Sequence, residues 1–136
     1  MKLFLIGLSL MFGVFLACSS SSGTPPTCNG ASCACPSGET CSISASSCGQ
    51  SCTLDCANSN DCNGSCGDSC SLKCTGTSMC TMTVGTSASV DCSGGATCHI
   101  TCTGSCSVNC GGGSTCDLKC PGQSSAQTIG ASGSCG

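Results

Sequence analysis

The sequence predicts an all-β fold: a disulfide-stapled β-solenoid with two strands per coil and about four 18-residue coils. Three observations lead there. Of 136 residues, 21 are Cys and 20 are Gly, a cysteine share well above the roughly 8–10% that marks a disulfide scaffold. A five-residue phrase, Cys–polar–apolar–polar–Cys, recurs along the chain, and pairs of that phrase follow an 18-residue period. The composition also excludes an ordinary apolar core, because 2% of residues are aromatic and there is no Trp or Tyr. A formal net charge of −3 with only three basic residues argues against a nucleic-acid partner. One His and no aromatic pocket wall argue against an enzyme, and no cofactor is expected.

In chain order, residues 1–17 read as a signal peptide. Met1 and Lys2 form a minimal charged start, and Leu3 to Ala17 then run apolar. That run has the length of a signal h-region and falls short of the about 20 residues of a membrane span. It ends Phe15-Leu16-Ala17-Cys18, followed by Ser19 to Ser22 and Gly23. These residues resemble a bacterial lipoprotein signal, in which a small residue precedes a Cys that is lipidated and becomes the new N-terminus. Phe15 stands where that family usually has Leu, and Leu16 is bulkier than its usual Ala or Ser. The resemblance implies lipidation of Cys18, a lipid bilayer as partner, and an exported protein anchored in the bacterial cell envelope. Ser19, in place of the Asp that signals retention, implies sorting to the outer membrane. Residues 18–27 are rich in Ser, Thr and Pro and read as a tether.

Removal of the signal takes away Phe4, Phe12, Phe15 and Lys2. Lys73 and Lys119 then face Glu39, Asp55, Asp61, Asp68, Asp91 and Asp117, so two positive charges against six negative leave −4. Export places thiols in an oxidising compartment. With lipid on Cys18, twenty Cys remain, enough for ten bridges with none left over. Residues 28–43 hold Cys28, Cys33, Cys35 and Cys41 and read as a small N-terminal cap whose pairing stays open.

Residues 44–120 carry the repeat. The phrase appears as CTLDC (52–56), CSLKC (70–74), CHITC (98–102), CSVNC (106–110) and CDLKC (116–120), with degenerate copies at 62–66, 80–84 and 88–92. Its central residues, Leu54, Gly64, Leu72, Met82, Val90, Ile100, Val108 and Leu118, are spaced alternately 10 and 8 apart. Stacking at that combined period aligns Cys52, Cys70, Ala88 and Cys106; then Cys56, Cys74, Cys92 and Cys110; then Cys62, Cys80, Cys98 and Cys116; then Cys66, Val84, Cys102 and Cys120. Period-two alternation reads as a strand with Cys and the aliphatic residue inside and Ser, Thr, Asp, Asn and Lys outside. Thr, Val, Ser and Gly disfavour a helix. Connectors alternate between long (57–61, 75–79, 93–97, 111–115) and short (49–51, 67–69, 85–87, 103–105), and their Gly and Ser suit tight corners. Self-similarity at a short fixed period is the mark of a solenoid. Residues 121–136 remain as a C-terminal tail or cap.

The two failures of the Cys pattern, Val84 and Ala88, flank one short connector. If Cys pair across corners, both failures belong to a single missing bridge. Pairing along a column would instead strand Cys66 and Cys106. Corner pairing predicts Cys48–Cys52, Cys66–Cys70 and Cys102–Cys106 over short connectors. It predicts Cys56–Cys62, Cys74–Cys80, Cys92–Cys98 and Cys110–Cys116 over long ones. Cys120 is left to meet Cys135, since its own corner partner position is Ser124.

Other chemistry is weakly represented. A thiolate metal store would want clustered CxxC or CxC; CxxxC dominates here, and only Cys33-Ala34-Cys35 is CxC. His99 sits at an outward strand position without a clustered partner and reads as a surface residue. Calcium-binding β-rolls share this coil length, but they need an Asp in every turn. Asp61 and Asp68 are followed at 18-residue steps by Met79 and Thr97 and by Thr86 and Gly104. The outward column Thr53, Ser71, Ser89 and Ser107, with Thr81, Thr83 and Thr101 on the other sheet, makes the chain similar in architecture to the disulfide-stapled antifreeze solenoids of insects. Their Thr-x-Thr rows are matched here only by Thr81-Met82-Thr83. The expected function is therefore a non-catalytic, membrane-anchored structural or surface-interaction lipoprotein, with a cell-envelope partner of unknown identity. An ice- or polysaccharide-surface binder and a thiolate metal-binding protein are the alternatives.

Overall fold

A computed structural model of the chain describes residues 23–76 and 78–136. Residues 1–17, expected to be a signal peptide, and Cys18 and Ser19 lie outside the described residues. The strands are β1 (Thr27–Asn29), β2 (Ser32–Ala34), β3 (Thr40–Ile43), β4 (Thr53–Asp55), β5 (Asp61–Cys66), β6 (Ser71–Thr75) and β7 (Met79–Val84). They continue as β8 (Ala88–Ser93), β9 (Thr97–Cys102), β10 (Cys106–Cys110), β11 (Thr115–Lys119), β12 (Gln127–Ile129) and β13 (Ser132–Cys135). A single helical turn, α1 (Ala45–Cys48), lies between β3 and β4.

The strands alternate between two sheets. One runs β1-β2-β4-β6-β8-β10-β13 and the other β3-β5-β7-β9-β11-β12. Between successive coils the pairing is parallel, and from β4 onward it keeps the 18-residue step of the sequence: Leu54 lies beside Leu72, Leu72 beside Val90, and Val90 beside Val108. The facing sheet stacks Gly64, Met82, Ile100 and Leu118 in the same manner. The result is a β-solenoid.

The stack has five coils, one more than the sequence repeat predicts. Residues 32–43 lie within the segment expected to be a separate cap, yet β2 and β3 pair in parallel with β4 and β5 and supply the first coil. The register step there is longer by three, running from Ser32 to Thr53 and from Thr40 to Asp61. The three additional residues are taken up at the corner that contains α1, so a comparison at the regular period misses this coil. Cys33 then occupies the column headed by Leu54, and Cys35 precedes the first long corner as Cys56 precedes the second.

Antiparallel strands close both ends. β1 lies against β2, while β12 and β13 turn back over β11 and β10. Parallel edges left open would template further strands; reversed segments cover β2, β10 and β11, while the edge of β3 meets the N-terminal segment through a parallel bridge from Thr24 to Cys41.

Corner geometry explains the Gly and Ser content. Gly76, Gly94 and Gly112 adopt φ of 81°, 71° and 59° at equivalent places in successive long corners, where the second coil has Asn58 at 58°. Asn is among the few L residues that tolerate this left-handed region. Ser51 and Ser69 are also left-handed, and their N–H groups donate to Asp68 and Thr86 carbonyls of the next coil, each at 2.8 Å. At the short corners Gly49 and Gly67 stack so closely that a Cβ on Gly67 would lie 2.6 Å from the Gly49 carbonyl oxygen.

Two outcomes are expected. Gly67→Ala lowers stability by about 1–3 kcal/mol through overpacking, whereas Gly111→Ala, with open space around it, leaves stability unchanged; denaturant unfolding reads both. Full reduction and alkylation abolishes the β signal in circular dichroism.

Candidate functional site

The interior of each coil is a narrow slot. In the third, fourth and fifth coils a buried aliphatic pair occupies its centre, for example Leu72 with Met82, whereas the first coil has Cys33 with Ile43 and the second Leu54 with Gly64; sulfur lines the corners. The structure joins Cys48–Cys52, Cys66–Cys70 and Cys102–Cys106 across short corners. Long corners are closed by Cys56–Cys62, Cys74–Cys80, Cys92–Cys98 and Cys110–Cys116. Cys120 meets Cys135 at the C-terminal end. The pairing left open by the sequence is Cys28–Cys33 and Cys35–Cys41. Cys35–Cys41 is a long-corner bridge with the same six-residue separation as the other four. Cys28–Cys33 is different in kind: the two are direct register partners on antiparallel strands, with Cα atoms 4.0 Å apart. At the corner without a bridge, Val84 and Ala88 are buried in the places that Cys takes elsewhere.

Stacking brings sulfurs of neighbouring coils together. Sγ of Cys52 and Cys70 lie 3.9 Å apart. Three sets, Cys56/Cys74/Cys80, Cys92/Cys98/Cys116 and Cys102/Cys106/Cys135, each gather three sulfurs within 4.8 Å. Metal ligation by Cys uses the thiolate, and each of these sulfurs is already bonded to another. Their proximity follows from the coil spacing of roughly 4.8 Å.

The outer faces carry the polar chemistry. On the seven-stranded sheet one column runs Ser32, Thr53, Ser71, Ser89, Ser107 and, across the reversed edge, Ser134. The neighbouring column runs Ala34, Asp55, Lys73, Asp91, Asn109 and Ser132. Asn109 Nδ2 donates to Asp91 Oδ1 at 3.2 Å, while Asp55 Oδ1 accepts from its own corner, the Ala57 N–H at 2.9 Å. Asp68 likewise serves a corner, its Oδ1 accepting the Thr86 N–H of the next coil at 2.8 Å. Among the described residues, no helix is long and apolar enough to cross a membrane.

His99 has a partner that the sequence reading did not assign. On the six-stranded sheet Thr81, His99, Asp117 and Thr128 share one outward column. His99 Nδ1 lies 3.1 Å from Asp117 Oδ2, and Thr128 Oγ1 donates to Asp117 Oδ1 at 2.7 Å. The regular step from 99 to 117 places the first two on adjacent strands. Thr128 comes from a reversed strand outside the period, so no spacing rule reaches it. Asp117 thus ties the C-terminal cap to the stack.

Comparison with protein-family models, curated proteins and solved structures yields no match.

The unbridged corner offers a direct test of register. Val84→Cys combined with Ala88→Cys restores the four-residue separation of the other short corners and is expected to add one disulfide. The chain-entropy relation puts the gain at about 2 kcal/mol, read as a higher denaturant midpoint and a mass lower by two hydrogens than the dithiol.

Proposed function

We propose that the protein is a non-catalytic, membrane-anchored, disulfide-rich lipoprotein with a structural or surface-interaction role, and that the solenoid is a stiff spacer presenting flat polar faces to the exterior. The observation that carries this reading is the hydroxyl column from Ser32 to Ser134, displayed in register on a frame closed by a disulfide in every coil. Seven strands at about 4.8 Å spacing make a face roughly 29 Å long. A partner would be met by hydroxyls, amides and scattered charges, since no aromatic residue follows Phe15.

The course of the chain agrees with an anchor. Thr24 N–H donates to the Thr40 carbonyl at 2.7 Å, so the N-terminal segment joins the stack at its first coil. A lipid on Cys18, five residues before Gly23, would then stand the stack end-on to the bilayer. Stable attachment takes more than one acyl chain, which the lipoprotein resemblance supplies.

The hydroxyl column also favours a second reading, a binder of ice or polysaccharide surfaces. Asp55, Lys73 and Asp91 in the adjacent column break the uniform lattice such a surface would match. A thiolate metal store is the least supported reading, because it needs the sulfurs reduced.

In a bacterial host, Cys18→Ser is expected to move the protein from the membrane to the soluble fraction and to remove the acyl mass from its N-terminus. Retention of the variant in the membrane would overturn the anchor. Thermal hysteresis of the soluble variant is expected to be absent; a measurable value would establish the second reading.

A further inference from the structure

Two of the ten bridges are open to attack from solvent, one at each end of the stack. Cys28 is exposed and Cys120 half-buried, whereas the other eighteen described cysteines are buried. Disulfide exchange begins when a thiolate attacks a sulfur it can reach, so chemistry from outside starts at these two atoms.

What the departing sulfur meets differs between the ends. Attack on Cys28 releases Cys33, whose register neighbour in the next coil is Leu54. No second disulfide stands in that column, and the Cys33 thiolate can only return to the mixed disulfide it left. Attack on Cys120 releases Cys135, which lies in register opposite Cys106. Its Sγ is within 4.8 Å of both sulfurs of the Cys102–Cys106 bridge. A cleft lined by Thr103, Gly104, Pro121, Ser134 and Gly136 leads to Cys120.

We infer that the Cys120–Cys135 bridge is a thiol-exchange site whose substrate is a low-molecular-weight thiol. The thiolate attacks Cys120 Sγ, the bond to Cys135 breaks, and Cys120 becomes a mixed disulfide while Cys135 leaves as thiolate. Cys135 then attacks Cys106 Sγ. The Cys102–Cys106 bond breaks, Cys106–Cys135 forms, and Cys102 leaves as thiolate. Two S–S bonds are present before and two after, so no oxidant or reductant enters beyond the thiol itself. The new bridge is of a kind the fold already contains, since Cys28–Cys33 also joins register partners on antiparallel strands. The relay goes no further inward than Cys102, because the next residues inward are Val84 and Ala88; outward, Cys102 has Cys120 as its column neighbour, and its thiolate can displace the added thiol from Cys120 and close a Cys102–Cys120 bridge. The site is thereby confined to the last coil, and the bridges of the preceding coils stay intact.

The experiment uses the native oxidised protein and glutathione under anaerobic conditions, with an acid quench, alkylation of free thiols and mass mapping of fragments. The expected result is a Cys106–Cys135 crosslink, with glutathione on Cys120 and alkylated Cys102 at short times and a Cys102–Cys120 crosslink once the thiol is displaced. Both the C-terminal adduct and Cys102 alkylation are expected to be lost in the Cys120→Ser, Cys135→Ser double variant, which keeps the other nine bridges. Stable adduct mainly on Cys28, or a Cys120–Cys135 bridge that stays intact, overturns the site. An adduct on Cys120 accompanied by alkylated Cys135 and an intact Cys102–Cys106 bridge overturns the relay.

Discussion

A disulfide at nearly every corner fixes the perimeter of the coil, and the remaining order follows from that constraint. Long-corner bridges always span six residues and internal short-corner bridges always span four. Equal perimeters from β4 onward let each coil lie flat on the next with its parallel ladder in register, and the first coil keeps register by looping three additional residues out at the α1 corner. A slip of one residue along a strand would turn its cysteines outward, which the bridges forbid. The bridges close small loops, so each contributes modestly through the unfolded state, but they recur at almost every turn of the chain. A slot only one aliphatic pair deep could not hold this stack by apolar burial alone.

The same constraint accounts for the composition. Between two sheets clamped by sulfur at the corners the slot is filled by Leu, Ile, Val and Met side chains, all buried. Close packing of that slot excludes anything larger. Outside, the strands need only small or polar side chains, so Ser, Thr, Asp, Asn and Lys interchange along a column without disturbing the rung beneath. Strict demands remain at the corners: Gly67 must lack a Cβ, and the place shared by Gly76, Gly94 and Gly112 accepts Asn58 but no ordinary residue. A chain built this way is low in complexity, and its information is concentrated in Cys and Gly.

Much of this could be read from spacing. The alternating steps of 10 and 8 define strand, corner and face together, and the paired substitutions Val84 and Ala88 distinguish corner bridges from column bridges. Three features escaped. The first coil was hidden because its longer step, from Ser32 to Thr53, breaks the period, although Cys35 and Cys41 keep the six-residue separation that marks a long corner. The reversed strands β12 and β13 carry no copy of the phrase, since antiparallel pairing is bound neither to the regular step nor to its direction. The contact of His99 with Asp117 is the third, although it is implicit in the period, since residues 99 and 117 stand one coil apart on the same outward column. The segment expected to act as a lipidation signal, residues 1–18, lies outside the described residues.

The ends of the molecule follow a different logic from its middle. A parallel repeat cannot terminate itself, because each added coil leaves a strand edge as open as the last. Reversal of the chain ends the repeat at three of the four edges, where β1, β12 and β13 are short antiparallel strands that carry no copy of the phrase and offer no parallel rung in register. Reversal also changes where sulfur lies. In the interior, a cysteine's bridge partner is round the corner, and where its register neighbour is also a cysteine, that neighbour belongs to another bridge. Where a reversed strand brings a cysteine, that residue stands directly across from a cysteine of the stack, as Cys28 does with Cys33 and Cys135 with Cys106. At the N-terminal end the two are already bonded. At the C-terminal end they face one another while each is bonded elsewhere, so an alternative pairing is within reach without moving a strand. The strand that stops growth of the stack is thus the one that gives its last bridge a second partner.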